Sequence, residues 1–404
     1  MEKEKVLITT IQPISGGVPS MLKIIIDYLR QREYQVTLAF YQPYSISPKL
    51  SVPIPALFSR KPSTEKSTFY GCDCVGIGCW LPELEFTHYL LTKRWQKLID
   101  EHSFHMMVSG SCLAAYPYIK TNTPFLAWTA TDWFGDRQDR VKQFPIYRRI
   151  IDQLLVKPVI KRMEEQIISS GNLIALSAYT QQQLNSITFD GAVSDVLAMP
   201  IDTDCFKPAP VSLPNKSTKT RRIGFVGRFS DPRKNISLLL ESIALIAQEG
   251  QSLELHLIGD TLSKNAKQLI NRLAISDKVI VHEHMSSEQL ANILPSFDVF
   301  VLPSFQEGLC IAAMEAMSCG VPVVSTRCGG PEMFIEDGLN GLLVDFDASE
   351  LASAISQLLS NEELRQVYAN AARSKIVDEY AKPVQERVFW QLFEEYKSTK
   401  RLCS

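Results

Sequence analysis

Two successive series of short apolar runs, broken by stretches of helical period and divided by one polar linker, constrain this chain more than any other feature. In the first series, Lys5 to Thr10 reads as a strand and Ser15-Gly-Gly-Val-Pro19 as a loop. A helix with Leu22, Ile25, Ile26 and Leu29 turned inward follows, then a second strand at Gln35-Val-Thr-Leu-Ala-Phe40. That is a βαβ start to a parallel sheet. Met106-Met-Val108, Phe125-Leu-Ala-Trp128 and Leu173-Ile-Ala-Leu176 continue it as buried parallel strands should. Residues 41–80, rich in Pro, Ser, Gly and Cys, read as a loop-rich insert. The linker from Lys207-Pro-Ala-Pro210 to Thr220 leads into Arg222-Ile-Gly-Phe-Val226. Further runs at Leu253–Ile258, Val279–Val281, Val299–Leu302, Val321–Ser325 and Gly341–Val344 form the second βα series. The expected fold class is therefore α/β, two facing Rossmann-like domains with a cleft between them, because ligands of such sheets sit beyond the carboxyl ends of the strands. The expected limits are 1–206 for an N-terminal Rossmann-like domain and 207–383 for a C-terminal one. A C-terminal helix over 384–404, with Val388, Phe389, Leu392, Phe393 and Tyr396 on one side, should pack back towards the N-terminal domain.

Composition narrows the function classes. At 404 residues with 45% apolar residues, the chain exceeds the size at which one core usually keeps growing. A net charge of -2 gives no global pull towards nucleic acid, and none is expected as a partner. Met1-Glu-Lys-Glu-Lys5 runs directly into Val6 without the segments of a secretory signal, so a cytoplasmic location is expected. No apolar run approaches the roughly 18 to 20 residues needed to span a bilayer, so any membrane contact would be peripheral. Nine cysteines in such a chain read as reduced thiols. Cys72, Cys74 and Cys79 match no common zinc spacing; they read as loop thiols, and no metal is expected.

The strongest chemical signal is Pro303-Ser-Phe-Gln-Glu-Gly-Leu-Cys-Ile-Ala-Ala-Met-Glu315, which leaves a strand, turns at Gly308 and enters a helix. Were Glu307 and Glu315 on one helix, they would lie about 12 Å apart along its axis, a span of the order of a donor sugar to its ribose. Glu307 would then take sugar hydroxyls and Glu315 ribose hydroxyls. The backbone amides of Leu309 and Cys310 would suit a diphosphate. A second constellation, Ile223-Gly-Phe-Val-Gly-Arg-Phe-Ser-Asp-Pro-Arg-Lys-Asn235, puts Arg228 just past a strand ending near Gly227 and Lys234 shortly after. A planar fork and a point charge there can offset a diphosphate without metal and stabilise it as a leaving group. Taken singly, a glutamate at a turn is often only a helix cap, and two basic loop residues are usually solvated.

In this order the motifs resemble the retaining nucleotide-sugar transferases of glycosyltransferase family 4, with the twin-Rossmann GT-B fold. The family's two glutamates separated by seven residues look like Glu307 and Glu315. Its Gly-Arg with a following Lys looks like Gly227, Arg228 and Lys234, and its N-terminal Gly-Gly turn like Gly16-Gly17. Its interdomain segment is similar to Pro200-Ile-Asp202 with Phe206 and Pro208, and its downstream turns to Gly329-Gly330-Pro331-Glu332 and Gly338-Leu-Asn-Gly341. The resemblance covers residues 220–350 well and the N-terminal half thinly. It implies a nucleotide diphosphate sugar as donor, no required cofactor or metal, retention of configuration, and Glu307, Arg228 and Lys234 as the catalytic set. Gly16, Gly17, Gly227, Gly308, Leu309, Cys310 and Glu315 would complete the donor site. The acceptor is a sugar, lipid-linked or protein hydroxyl that no motif identifies.

The departures shape the alternatives. Where many relatives carry His before an Asp, this chain has Thr131-Asp132, and its six histidines lie elsewhere, His282 and His284 following a strand of the second domain. A nucleotide-sugar-binding protein without turnover therefore stays open, as do an epimerase and a phosphorylase of the same fold. A dehydrogenase is disfavoured, because neither Gly16-Gly17 nor Gly224-Phe-Val-Gly227 fits the G-x-G-x-x-G turn. Arg137 to Arg162 carries eight basic residues against Asp139 and Asp152, interleaved with Phe144, Ile146, Tyr147, Ile150, Ile151, Leu154 and Leu155. It fits an anionic membrane surface or guidance of a lipid-linked acceptor. A solvated helix packing its apolar side inward is the commoner arrangement.

Overall fold

The computed structural model describes residues 3–11, 17–134, 137, 141, 144–189, 191–209 and 220–403, the last five by backbone alone. The chain divides into two compact units, Met1–Ala198 with Val388–Ser404, and Met199–Arg387.

In the first unit the strands are β1 (Lys5–Thr10), β2 (Gln35–Tyr41), β3 (Thr64–Phe69), β4 (Cys72–Ile77), β5 (Phe104–Ser109), β6 (Leu126–Thr129), β7 (Leu173–Ala175) and β8 (Asp195–Val196). They form one sheet in the order β3-β4-β2-β1-β5-β6-β7-β8, parallel except for β3 against β4. β1 and β5 are buried almost throughout, as strands covered on both faces must be. The helix Val18–Gln31 sets Met21, Leu22, Ile25, Ile26 and Leu29 into the core, with Pro19 in its first turn, where a missing N–H costs nothing.

The insert at 41–80 holds more order than its composition suggests. β3 and β4 are a hairpin whose connection is Tyr70-Gly71, both with positive φ (49° and 70°), the geometry that matches the twist of paired strands. Cys72 and Cys74 are thus strand residues, buried on one face of β4, and not loop thiols. Among the described residues no group of three or more His, Cys, Asp or Glu is placed to hold a metal ion.

The last helix, Lys382–Cys403, supplies its residues from Val388 on to the first unit. There Phe389 meets Tyr28 at 5.3 Å between ring centroids and Phe393 meets Phe104 at 5.8 Å. The Tyr396 hydroxyl donates to Pro124 O at 3.1 Å and accepts from the His105 amide at 3.0 Å.

The second unit carries β9 (Arg221–Gly227), β10 (Leu253–Gly259), β11 (Val279–His282), β12 (Val299–Leu302), β13 (Val323–Thr326) and β14 (Gly341–Val344). All pairs are parallel, in the order β11-β10-β9-β12-β13-β14. Its limits lie a few residues from the expected 207 and 383 because tertiary contacts hold the intervening segment. Ile201 bridges Ala381, and the Arg373 guanidinium donates to Thr203 O (3.0 Å), Phe206 O (2.8 Å) and Ser318 O (2.7 Å). Most of the expected linker, 210–219, lies outside the described residues.

Candidate functional site

From β9 the second sheet grows outward through β10 and β11, then returns to lay β12 on the other side of β9. The carboxyl ends of β9 and β12 therefore flank the topological switch point, the place where an open α/β sheet leaves a crevice for a ligand. Both motifs singled out in the sequence emerge there.

β9 ends at Gly227. In the turn that follows, the Phe229 amide and the Ser230 hydroxyl both donate to the carboxylate of Asp260, which stands at the end of neighbouring β10. Asp231 accepts from the Arg233 amide at 3.1 Å, and Asn235 takes the left-handed conformation that Asn tolerates (φ 47°) before the helix Ile236–Gln248 begins. This path carries Lys234 back across the strand end: a Cβ on Gly227 would lie 3.6 Å from Lys234 Cε. The lysine ends with Nζ 2.6 Å from Glu307 Oε1.

On the other side, β12 runs into Pro303 and the buried Ser304. The Phe305 amide donates to Arg233 O at 2.7 Å, tying the two loops together. The Glu307 backbone is bridged to the Gly329 segment, its amide donating to Cys328 O (2.9 Å) and its carbonyl accepting from Gly330 N (2.8 Å). Its carboxylate takes Lys234 and the Ser304 hydroxyl (2.5 Å) on the same oxygen, Oε1. Oε2 makes no hydrogen bond to a described residue and remains an acceptor for a ligand hydroxyl. The Lys234 and Glu307 side chains keep only 18% and 11% of their surface, so water screens the pair little. Burial alone would lower the Lys234 ammonium, but the neighbouring Cys310 thiol and Glu307 carboxylate outweigh it and hold it above the usual lysine range.

The structure corrects the expectation for the two glutamates. The helix is Ile311–Ser318, so Glu307 stands upstream of it and the axial spacing of a shared helix does not apply. Between them Gly308 packs under Gly330, Leu309 is buried, and Cys310 caps the helix in the left-handed region (φ 62°). The amides of Leu309 and Cys310 donate to no described residue. Glu315 lies inside the helix, half-buried, and desolvation pushes its carboxyl up to about 7.

The two basic residues expected to act together are also in different settings. Arg228 is exposed and ion-paired with Asp231 at 3.3 Å; no hydrogen bond or ion pair joins it to Glu307. Gly16 lies outside the described residues. Gly17 belongs to the first unit, where it caps Val18–Gln31 after β1, next to that sheet's own switch point between β1 and β5. Thr131 and Asp132 follow β6 in the same unit, with the Thr131 hydroxyl donating to Asp132 at 3.3 Å. Behind them Glu164 accepts the Trp133 amide at 2.8 Å, and burial pushes its carboxyl up to about 7. His282 stacks on His256, centroids 5.2 Å apart, at the β10 and β11 end of the second sheet, while His284 is exposed. Ser304, Asp260 and Gly330 were missed as site residues. Asp260 directly follows β10 and Ser304 follows β12 after one proline, both at the sheet's carboxyl edge, and that position was the available signal.

Two parallel-sheet α/β units with loops converging at the second unit's switch point are the GT-B fold. The chain aligns over 98% of its length with all of sucrose-phosphate synthase from Thermosynechococcus elongatus at TM-score 0.70 and 17% identity. It aligns over 97% with all of Anabaena HepE, solved in complex with UDP, at TM-score 0.71 and 16% identity. Likenesses at that identity show the fold alone. In sequence, residues 213–375 match the family model described as glycosyl transferases group 1. The chain is 33% identical over 215 residues to D-inositol 3-phosphate glycosyltransferase of Mycolicibacterium smegmatis, covering 49% of this chain and 48% of that one. It is 32% identical over 233 residues to MMP alpha-(1->4)-mannosyltransferase of Mycolicibacterium hassiacum, covering 54% and 55%. The chain thus spans about half the length of the curated relatives it matches.

Proposed function

We propose that the protein is a retaining glycosyltransferase of family 4 type that moves a sugar from a nucleotide diphosphate sugar to an acceptor hydroxyl. The observation that carries the reading is the low-water pair of Lys234 and Glu307 at the switch point of the second sheet, with Glu307 Oε2 left to accept a sugar hydroxyl. Lys234 supplies a cation for the diphosphate as its bond to the anomeric carbon breaks, and Arg228 adds a second from the exposed turn. The amides of Leu309 and Cys310 face the same charge, and Glu315 takes the ribose hydroxyls. No resident metal enters this scheme, because the protein's own cations offset the leaving group.

Product analysis with and without an acceptor tests the reaction class. Net transfer to the acceptor with the donor's anomeric configuration kept is expected. Turnover that needs no acceptor, or that requires phosphate, would identify an epimerase or a phosphorylase instead.

The Glu315 carboxyl gives the site a pH signature. A ribose hydroxyl donates to the ionised form, so donor binding favours ionisation and affinity increases as pH rises through about 7. A three- to tenfold rise between about pH 6 and pH 8 is expected from linkage of one proton, and Glu315→Gln should flatten it. For the unliganded chain the sign is opposite. A carboxyl raised on folding adds stability below the ordinary carboxylate range, and that stability is lost as pH rises through about 7. Calorimetric titration across the range reads the first effect and thermal unfolding the second.

A further inference from the structure

After β6 the first unit carries a helical stretch built from Ile146–Ile151, a widened turn at Asp152–Val156 and Lys157–Ile168. An amphipathic helix on a globular unit usually turns its apolar stripe inward. This one does the reverse over its first half. Ile146 and Leu154 keep 76% and 74% of their surface, and Tyr147, Ile150, Ile151 and Leu155 are exposed with them. The six form two rows with a spacing of four, one of 146, 150 and 154 and one of 147, 151 and 155, so they share a side. From 146 to 156 the buried residues are Asp152 and Val156.

The inward side explains the orientation. Arg137, itself buried, lies 2.6 Å from Asp152 and 2.9 Å from Glu85, with its guanidinium 4.6 Å from the centre of the Trp133 ring. Once buried, such a pair is costly to separate, since either partner left alone would be an uncompensated charge. Asp152 therefore fixes which side of the helix faces the unit, and the apolar side is held outward by a specific contact.

The charge around the apolar rows has one sign. Arg148, Arg149, Lys161 and Arg162 are exposed and Lys157 is half-buried. Arg148 sits 4.4 Å over the Phe144 ring; the next acids along are Glu164, which is buried, and Glu165, which meets Lys161 at 3.8 Å. Between 144 and 162 the only acid is Asp152, which is turned in. In a chain of net charge -2 this is a local band of positive charge wrapped around a contiguous apolar surface. Asp139, Arg140 and Lys142, the remaining charges of the basic stretch, lie outside the described residues.

We propose that this face docks the protein on an anionic lipid surface, the six apolar side chains entering the boundary between headgroups and acyl chains and the basic residues meeting lipid phosphates. Charge selects this occupant. A second copy of the chain joined through the same face would set one cationic band against another, an arrangement that like charges disfavour. Among the described residues no helix is long and apolar enough to cross a membrane, so the contact is with the surface. The proposal stands on this face alone and does not depend on the transferase reading.

Flotation of the full chain with vesicles of phosphatidylcholine, alone or mixed with phosphatidylglycerol, tests it. The native chain should float with the mixed vesicles at low salt and be released by high salt. Ile150→Glu with Leu154→Glu, and separately Arg148→Glu with Arg149→Glu, should each cut the bound fraction about tenfold or more. All four side chains are exposed, so the unfolding temperature should not move. A Tyr147→Trp reporter should shift its emission to the blue on vesicle addition. Absence of binding to mixed vesicles at low salt, native-like binding by the apolar double variant, or binding with no shift at position 147 would each overturn the proposal. So would a native dimer that the same apolar substitutions split.

Discussion

Replacing Lys234 by alanine is expected to lower kcat/KM for sugar transfer by about 100- to 1,000-fold, the range seen when one preorganised electrostatic contact to developing charge is removed. Two losses add. The diphosphate loses the cation that Glu307 holds, and among the described residues the Glu307 carboxylate keeps just the Ser304 hydroxyl in a setting with little water. A buried carboxylate left without its cation repels a diphosphate. Lys234→Arg restores the charge but not the point geometry on Oε1, so it should recover only part of the rate. Steady-state kinetics beside a thermal unfolding curve separates the two effects, since a rate loss without a matching loss of fold assigns the lysine to the chemistry.

Gly330→Ala should be nearly as damaging by a different route. A Cβ at that position would lie 2.5 Å from the Gly308 carbonyl carbon and 2.6 Å from the Leu309 nitrogen, both backbone atoms that cannot swing aside. The loop bearing Glu307 would have to retreat, and the bridge joining Glu307 to the Gly329 segment would open. Overpacking of this kind costs about 1–3 kcal/mol of stability. The loss of activity should be larger, about 100-fold, because an ångström of displacement at a reacting group is expensive. Gly338→Ala is the comparison: that glycine has open space around it and only a positive φ (77°) to strain, so it should lower stability modestly and leave kinetics near native. Equal kinetic losses in both variants would mean that the Gly330 contact does not position Glu307.

The parts of the protein that proved readable share a cause. β9, β12 and the helix after Cys310 are each set by local pattern, a buried strand run followed by a glycine turn, so Gly227, Lys234, Glu307 and Glu315 could be placed in order along the chain. What pattern does not encode is how those residues meet. That Lys234 crosses to Glu307 while Arg228 stays with Asp231 depends on the left-handed Asn235 and on Asp260 holding the turn from a neighbouring strand. β3 was missed because its residues, Thr64-Glu-Lys-Ser-Thr-Phe69, are polar and largely exposed at a sheet edge, so no alternation marks them. The helix from Ile146 was legible as amphipathic but not in its orientation. Period fixes that an apolar side exists; the buried Arg137 contact, far from pattern, decides that Asp152 and not Ile150 turns inward.

The proposed transferase reaction requires that the switch point of the second unit hold a nucleotide sugar through Glu307 and its neighbours. Calorimetric titration of UDP-, GDP- and ADP-sugars into the native chain, Glu307→Ala and Arg228→Ala measures that binding. Selective binding of one donor class is expected, weakened about tenfold or more in Glu307→Ala, where a charged hydrogen bond is lost, and less in Arg228→Ala, whose guanidinium is solvated. No binding of any donor, or native affinity in Glu307→Ala, would contradict it.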